Sequence, residues 1–335
     1  LTLWGTLYQK YNGLYAAKKK FFDSYVIWIN DSIPFPGTSL ILWIFFINLF
    51  LSMMLHFKYG LRHIGLVILH AGLLLMLAGG FVTQEYGEES HLTLMEGMTS
   101  NVAASYHDWE ISVWQGNDSL KDVMAFDSDH LETGDRLTWD EAGFSLAVQK
   151  YHINSRAFTS REPSAPTDIL NASGVNQIEW AKRERDPERH LPSGLFTIED
   201  QSGTQQKLIL FGGDERSTEI TVNEEAWNIQ LRRKRYPLPL SVKLVDFRRE
   251  MHPNSSVAKE YSSKVSVSMN EIDRDVLISM NNPFRYKGLT FFQASFQETG
   301  GGPEISTFAV TKNYGRLIPY VATGIVFIGM LIHFV

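Results

Sequence analysis

Residues 61–82 read LRHIGLVILHAGLLLMLAGGFV and decide the fold, because Arg62 is the only formal charge in a run long enough to cross a bilayer. The uncharged run Ser39–Phe57 precedes it, and only the letters KYG stand between the two. A span of a bilayer takes about 20 apolar residues. We therefore predict a transmembrane hairpin over 39–84, with spans at about 39–57 and 61–82.

Apolar runs also occupy both ends of the chain. Leu317–Val335 contains no charged residue, and Pro319 suits the first turn of a helix. The opening LTLWGTLYQ is apolar until Gln9 but too short to span a membrane. We expect residues 1–9 to be the end of a truncated first transmembrane helix and 316–335 to be a truncated last one. The fold would then have three complete helices plus the truncated first span, excised from a longer chain.

Residues 10–38 connect the first and second predicted spans. Lys18, Lys19 and Lys20 stand directly beside Phe21 and Phe22. Lysine stems and aromatic rings suit the headgroup region of a bilayer. We interpret 10–38 as an interfacial segment.

Between the third and fourth spans the sequence changes to short alternating runs separated by turn residues. Examples are WEISVWQGND at 109–118, FSLAVQKYHI at 144–153 and LTFFQASFQ at 289–297. About ten such runs predict a large all-β extracytoplasmic domain over 85–315, an antiparallel sandwich or barrel. Residues 155–193 are rich in Ser, Pro, Arg and Glu, so we predict a long loop with one helical turn there.

Composition excludes several classes of function. The 335 residues include no cysteine, so the chain has neither a disulfide framework nor thiolate chemistry. A net charge of -6 gives no electrostatic footprint for nucleic acid, which we exclude as a partner.

Lysines at 10, 18, 19 and 20 would place the first loop in the cytoplasm by the positive-inside rule. A long domain is exempt from that rule, so composition leaves the side of the membrane open.

Histidines at 56, 63 and 70 are spaced by seven residues. His70 would lie about 14 Å along its helix, near the middle of the bilayer, where an ionisable side chain is costly unless it faces protein or a cofactor. Either a hydrogen bond between helices or ligation of haem iron would explain it. His63 and His333 would lie near the opposite membrane surface from the large domain, so neither would ligate the same iron as His70. If His70 binds haem, the other ligand comes from another polypeptide or from missing sequence.

A basic cluster in the β domain is a second candidate site. Arg232, Arg233 and Arg235, with Lys234 among them, stand between two strand-like runs. They would form either a solvated strand edge, where charge opposes aggregation, or a site for propionates or lipid phosphates.

Several stretches together resemble the ResB (CcsB) family of system II cytochrome c biogenesis. The family's third span, with its intramembrane histidine, is similar to HIGLVILHAGLLLMLAGGF, which places that histidine at His70. Signatures of the family's extracytoplasmic domain are similar to RYPLPLSVKLVDFRRE, YSSKVSV and MNNPFRYKGLTFFQASF, and the closing span to NYGRLIPYVATGIVFIGMLIHF. Asn282, Pro283 and Gly288 within these signatures are expected to hold a turn.

The resemblance implies a multi-pass protein of the bacterial inner (cytoplasmic) membrane. It implies transfer of haem b across the membrane and its delivery to the CxxCH motifs of apocytochrome c. The implied partner is a ResC (CcsA) haem-handling protein, separate or fused after Val335. His70 would be an axial ligand of haem in transit, and a thioredoxin-like protein would reduce the client thiols. The chain would be an accessory subunit of a holocytochrome c synthase, with no catalytic residue of its own.

Two other functions compete with haem delivery. The β domain is alternatively a scaffold that holds apocytochrome or the partner without ligating haem. A transporter permease is disfavoured, because paired ionisable residues along a pathway are missing from the sequence.

Overall fold

The computed structural model places helices and strands over most of the chain. It describes residues 1–29, 32–55, 60, 63–116, 122–139, 142–159, 169–184, 186–200, 203–252, 258–269, 272–297, 299–300 and 302–335. His56 and most of the turn between the two predicted spans lie outside these residues. The chain forms two compact units, one of Leu1–Ala103 with Leu238–Val335 and one of Ala104–Pro237.

Helices occupy both ends of the first unit. They are α1 (Thr2–Asn12), α2 (Leu14–Ala17), a π-helical turn (Lys18–Phe22), α3 (Thr38–Leu55), α4 (Ile64–Tyr86) and α5 (Ile318–Phe334). By length and composition, α3 and α4 could cross a membrane, with mean hydropathies of 2.1 and 2.2. Helix α5 is apolar but has only 17 residues. Two of the predicted spans are therefore found as apolar helices of sufficient length, and the total number of spans stays a prediction.

The predicted interfacial segment has a small core of its own. Phe21 is fully buried between the rings of Trp4 and Tyr8. A short antiparallel hairpin follows, formed by β1 (Val26–Ile29) and β2 (Ile33–Pro36). The Ser39 hydroxyl donates to the Phe22 carbonyl at 2.9 Å, which ties the start of α3 to this segment.

The rest of the chain is dominated by strands. In chain order they are β3 (Glu88–Met95), β4 (Thr99–Gln115), β5 (Met124–Asp127), β6 (Arg136–Trp139), β7 (Phe144–His152), β8 (Ser155–Thr159), β9 (Ile169–Leu170), β10 (Val175–Trp180), β11 (Ser193–Asp200), β12 (Gln205–Phe211), β13 (Thr218–Val222), β14 (Glu225–Met251), β15 (Ala258–Met269), β16 (Ile272–Ser279), β17 (Phe284–Tyr286), β18 (Leu289–Gln297) and β19 (Ile305–Lys312). The unit boundaries fall inside β4 and β14.

The first unit contains a nearly closed sheet. Its strands run in the order β16-β15-β14-β4-β3-β19-β18-β17. The two ends of this order approach each other, because β16 contacts β17 and β18 and an antiparallel bridge joins Ser279 to Asn282. Alternate residues such as Leu92, Phe291 and Phe308 are buried in its core. A large β-rich domain is confirmed, and the sheet of the first unit is nearly closed.

The second unit brings together two groups of strands. One is the sheet β6-β7-β11-β12-β9, and the other is β5 on β4 with β13 on β14. Their apolar faces share one core, which includes Ile111, Phe196 and Ile229. The sequence pattern missed the strands β8, β9 and β10, which lie within the predicted loop 155–193. Trp180 stabilises the hairpin of β8 and β10. Its ring stacks on His152 with centroids 5.1 Å apart, and the Lys150 ammonium lies over the same ring in a cation–π contact.

Candidate functional site

His70 lies in the first third of α4, whose 23 residues begin at Ile64. At 1.5 Å per residue it is about 9 Å from the helix start, because the helix begins three residues later than the sequence pattern predicted. His70 is therefore nearer to the His63 end of the helix than to its middle. Its side chain is half-buried on a helix with no charged residue before Glu85.

The ring of His70 is oriented by its own helix. Its Nδ1 lies 2.7 Å from the Leu66 carbonyl oxygen, four residues earlier. A carbonyl can only accept, so Nδ1 carries the proton of this hydrogen bond. Metal-ligating histidines typically donate their other ring N–H to a carbonyl in this way, which fixes the tautomer and raises ligand basicity.

Helix α3 packs against α4 at the end nearest the sheet. The Gln84 side-chain amide donates to the Ser39 hydroxyl at 3.0 Å. Trp43 stacks on Phe81 with ring centroids 4.2 Å apart, and Phe46 meets Phe81 edge to face. Eleven residues of α-helix rotate by about 20° beyond three full turns, so His70 and Phe81 lie on nearly the same face of α4. His70 therefore belongs to the side of α4 that faces α3.

Helix α5 packs on another face of α4 through small residues. A Cβ added to Gly65 would lie 2.5 Å from the His333 backbone nitrogen, and one added to Gly72 would lie 3.0 Å from the Ala322 carbonyl oxygen. Gly72 is two residues beyond His70, which is about 200° of helix rotation. The α5 contact and the His70 ring consequently lie on opposite sides of α4.

His63 and His333 lie at one end of this helix pair. His63 immediately precedes α4 with non-helical backbone angles, and its amide donates to the Gly60 carbonyl. The His333 backbone contacts Gly65, and its exposed side chain meets Phe334 edge to face at 5.1 Å. His333 thus lies at the level of His63, as expected, and about a turn or more from the level of His70.

In the second unit, the arginine cluster joins β14 to β4. Arg232 is 7% exposed, and its Nε donates to the Glu110 carboxylate at 2.9 Å. Its guanidinium also lies 5.3 Å from the Trp114 ring centroid. A buried pair with these contacts holds two strands together, and removing either partner would leave an uncompensated charge.

Arg233 and Arg235 are partly buried in the same region. The Arg233 guanidinium donates to the carbonyls of Tyr106 and Glu188 and stacks 4.2 Å over Trp109. Burial lowers the pKa of Arg233, and the carboxylate of Glu188 opposes that shift. Burial also lowers the pKa of Arg235, and neighbouring Arg232 adds to the effect. Much of the positive charge of this cluster therefore serves contacts within the protein, and a role in binding propionates stays a prediction.

Sequence reasoning did not identify Glu110 as the partner of the cluster. A signal was present, because Glu110 is a charged residue within the apolar run of WEISVW. A carboxylate in such a strand requires a buried cation, which Arg232 supplies. Among the residues that the structure describes, no three His, Asp or Glu side chains come close enough to hold a metal ion. Ligation of haem iron by His70 stays a prediction.

These features define a β-rich protein with two apolar helices that are long enough to cross a membrane. Residues 194–312, from β11 through β19, match the family model of the ResB-like family. The match covers the stretch that resembles the family's extracytoplasmic domain, and it supports membership of that family. The ResB-like family is associated with cytochrome c biogenesis and with membranes. No curated protein matches the chain.

Proposed function

We propose that the chain is a haem-handling subunit of the system II cytochrome c maturation machinery in the bacterial inner membrane. It holds haem b in transit and helps a ResC (CcsA) partner to deliver it to apocytochrome c. The large β-rich domain lies on the extracytoplasmic side, where a thioredoxin-like protein reduces the client thiols. The observation that carries this proposal is the hydrogen bond from Nδ1 of His70 to Leu66, which presents the imidazole in the ligating tautomer on an apolar helix.

In this proposal haem is cargo, and His70 is the residue that holds its iron. If haem binds here, the His70 imidazole would ligate its iron, and the protein would supply an oriented base in a region of low polarity. The work of the chain is to position the group and to keep water from it. Formation of the thioether bonds belongs to the partner complex.

Spectroscopy of the full chain tests the proposal. The full chain, purified in detergent with its partner, should carry b-type haem, and His70→Ala should remove most of it. His63→Ala is the matched control, because His63 lies outside α4, and it should retain its haem. Full occupancy in His70→Ala would refute the proposal.

A scaffold function for the β-rich units is the second candidate. It is favoured by the position of the family match, which covers strands β11–β19. A scaffold predicts that photo-crosslinks from these strands capture apocytochrome c or the partner, and that the His70→Ala variant still matures cytochrome c. Loss of maturation in His70→Ala, with the crosslinks retained, would favour haem delivery.

A further inference from the structure

The loop between β10 and β11 is held closed at both of its ends. We call residues 182–191 of this loop the strap. The side-chain amide of Asn154 donates to the Lys182 carbonyl at 2.6 Å, and its oxygen accepts the Leu191 N–H at 3.2 Å. The Ser155 hydroxyl donates to the Leu191 carbonyl at 2.9 Å. The first residue of β8 and the residue before it therefore hold the two ends of the strap together.

His190 closes the strap from the inside. The Glu184 backbone N–H donates to Nε2 of His190 at 3.0 Å. A ring nitrogen accepts a hydrogen bond only through its lone pair, so Nε2 carries no proton and the ring is neutral. The His190 residue is 6% exposed, so water does not readily replace this contact. The closed strap therefore requires the neutral form of His190.

The charges around His190 act against its protonation. Burial lowers the pKa of His190, and the positive charges of Arg183 and Arg233 act in the same direction, while the Glu184 carboxylate opposes them. Arg233 belongs to β14, and its charge also interacts with the carboxylate of Glu188 in the strap. The residues at the start of β8 that hold the strap are uncharged. A protonated ring would therefore add a further positive charge beside two arginines.

The strap also contacts the arginine cluster of β14. The Arg233 guanidinium donates to the Glu188 carbonyl in the strap and to the Tyr106 carbonyl at 2.7 Å outside it. The same guanidinium lies 4.2 Å from the ring centroid of Trp109. Opening of the strap would remove the Glu188 carbonyl from Arg233 and leave its contacts with Tyr106 and Trp109. The conformation of the strap is therefore linked to the surroundings of Arg233.

We propose that the strap is a pH-dependent switch, closed when His190 is neutral and open when His190 is protonated. Protonation of Nε2 places two N–H donors opposite each other, so the Glu184 N–H loses its acceptor. Histidine changes its charge between about pH 5 and 8, which is the range in which the switch acts. The proposal does not depend on haem or on His70. In the proposed extracytoplasmic location, the surroundings of Arg233 would respond to the pH of the medium.

Hydrogen–deuterium exchange of the full chain in detergent tests the proposal. Peptides of the strap are compared at about pH 7.5 and about pH 5.5, after correction for the pH dependence of exchange in an unstructured chain. His190 binds no proton in the closed strap, and an exposed histidine has a pKa of about 6.5. The ratio of open to closed strap should therefore rise about tenfold between the two conditions. Peptides of β11 should keep their protection, because the opening is local.

Two variants identify the group that responds to pH. His190→Gln removes the titratable ring and offers an oxygen to the Glu184 N–H, so protection of the strap should be the same in both conditions. His130→Gln changes an exposed histidine of the same unit and is the matched control, which should keep the wild-type response. Three results would overturn the proposal: unchanged protection of the wild-type strap, a wild-type response in His190→Gln, or an equal loss of protection in β11.

Discussion

Substitution of Gly65 by alanine should separate α4 from α5. A Cβ at this position would lie 2.5 Å from the His333 nitrogen, 2.7 Å from the Gly329 carbonyl oxygen and 2.9 Å from the His333 Cα. Non-bonded carbon atoms prefer about 3.5–4.0 Å. All three neighbours are backbone atoms, so no change of rotamer relieves the contact, and the helices must move apart by about 1 Å.

The size of the effect follows from this displacement. Overpacking a close contact typically costs about 1–3 kcal/mol. For a unit of the size that contains α4 and α5, roughly 150–250 residues, each kcal/mol lowers the melting temperature by about 2–4 °C. We expect Gly65→Ala to lower the melting temperature by about 2–12 °C.

The matched control is Gly80, which is in the same helix. A Cβ added to Gly80 meets nothing within 4 Å, and alanine favours helix over glycine by up to about 1 kcal/mol. Thermal unfolding in detergent, followed by loss of the monodisperse fraction in size-exclusion chromatography, compares the two variants. A Gly65→Ala protein that melts like the wild type, or a Gly80→Ala protein that melts equally early, would refute the close contact between helix backbones.

Three other predictions concern the β-rich part of the chain. Arg232→Met alone should destabilise the protein by about 3–5 kcal/mol in a denaturant titration, because it leaves Glu110 buried without its cation, and adding Glu110→Leu should restore most of that loss. Burial lowers the pKa of His190 in the folded protein, so the unfolded chain binds more protons than the folded chain as the pH drops below about 6.5, and the stability of the fold should decrease there. In unfolding titrations across pH, His190→Gln should reduce this dependence of stability on pH. Lys287 and Gly288 both have positive φ between β17 and β18, so Gly288→Ala should cost about 1–2 kcal/mol and Lys287→Asn should stabilise by up to about 1 kcal/mol in the same assay.

Hydropathy and the alternation of apolar and polar residues predicted the helices and strands whose buried faces can be recognised from the local sequence. The apolar runs became α3, α4 and α5, and the alternating run at 144–153 became β7. The turn expected around Gly288 is present, because positive φ at this position suits glycine. The hairpin of β8 and β10 was missed, since its strands are polar and are stabilised by pairing and by Trp180.

The sequence alone predicted only part of the candidate site. An ionisable residue in an apolar helix identified His70 without any knowledge of packing. The hydrogen bond to Leu66 depends on the rotamer of His70, and the side of α4 on which that ring lies relative to α3 depends on how the two helices pair. The pairing of Arg232 with Glu110 joins residues 122 apart, which no local pattern encodes.

The pairing of α4 with α5 has a consequence for biosynthesis. Thr83 at the end of α4 hydrogen-bonds to Asn313 just before α5, and the two residues are 230 apart in the chain. At about 5–20 residues per second, a ribosome takes roughly 10–50 s to make the intervening sequence. During that interval α4 lacks α5, the helix that it contacts through glycine residues. Its apolar length and its contacts with α3 must therefore hold it until α5 has been made.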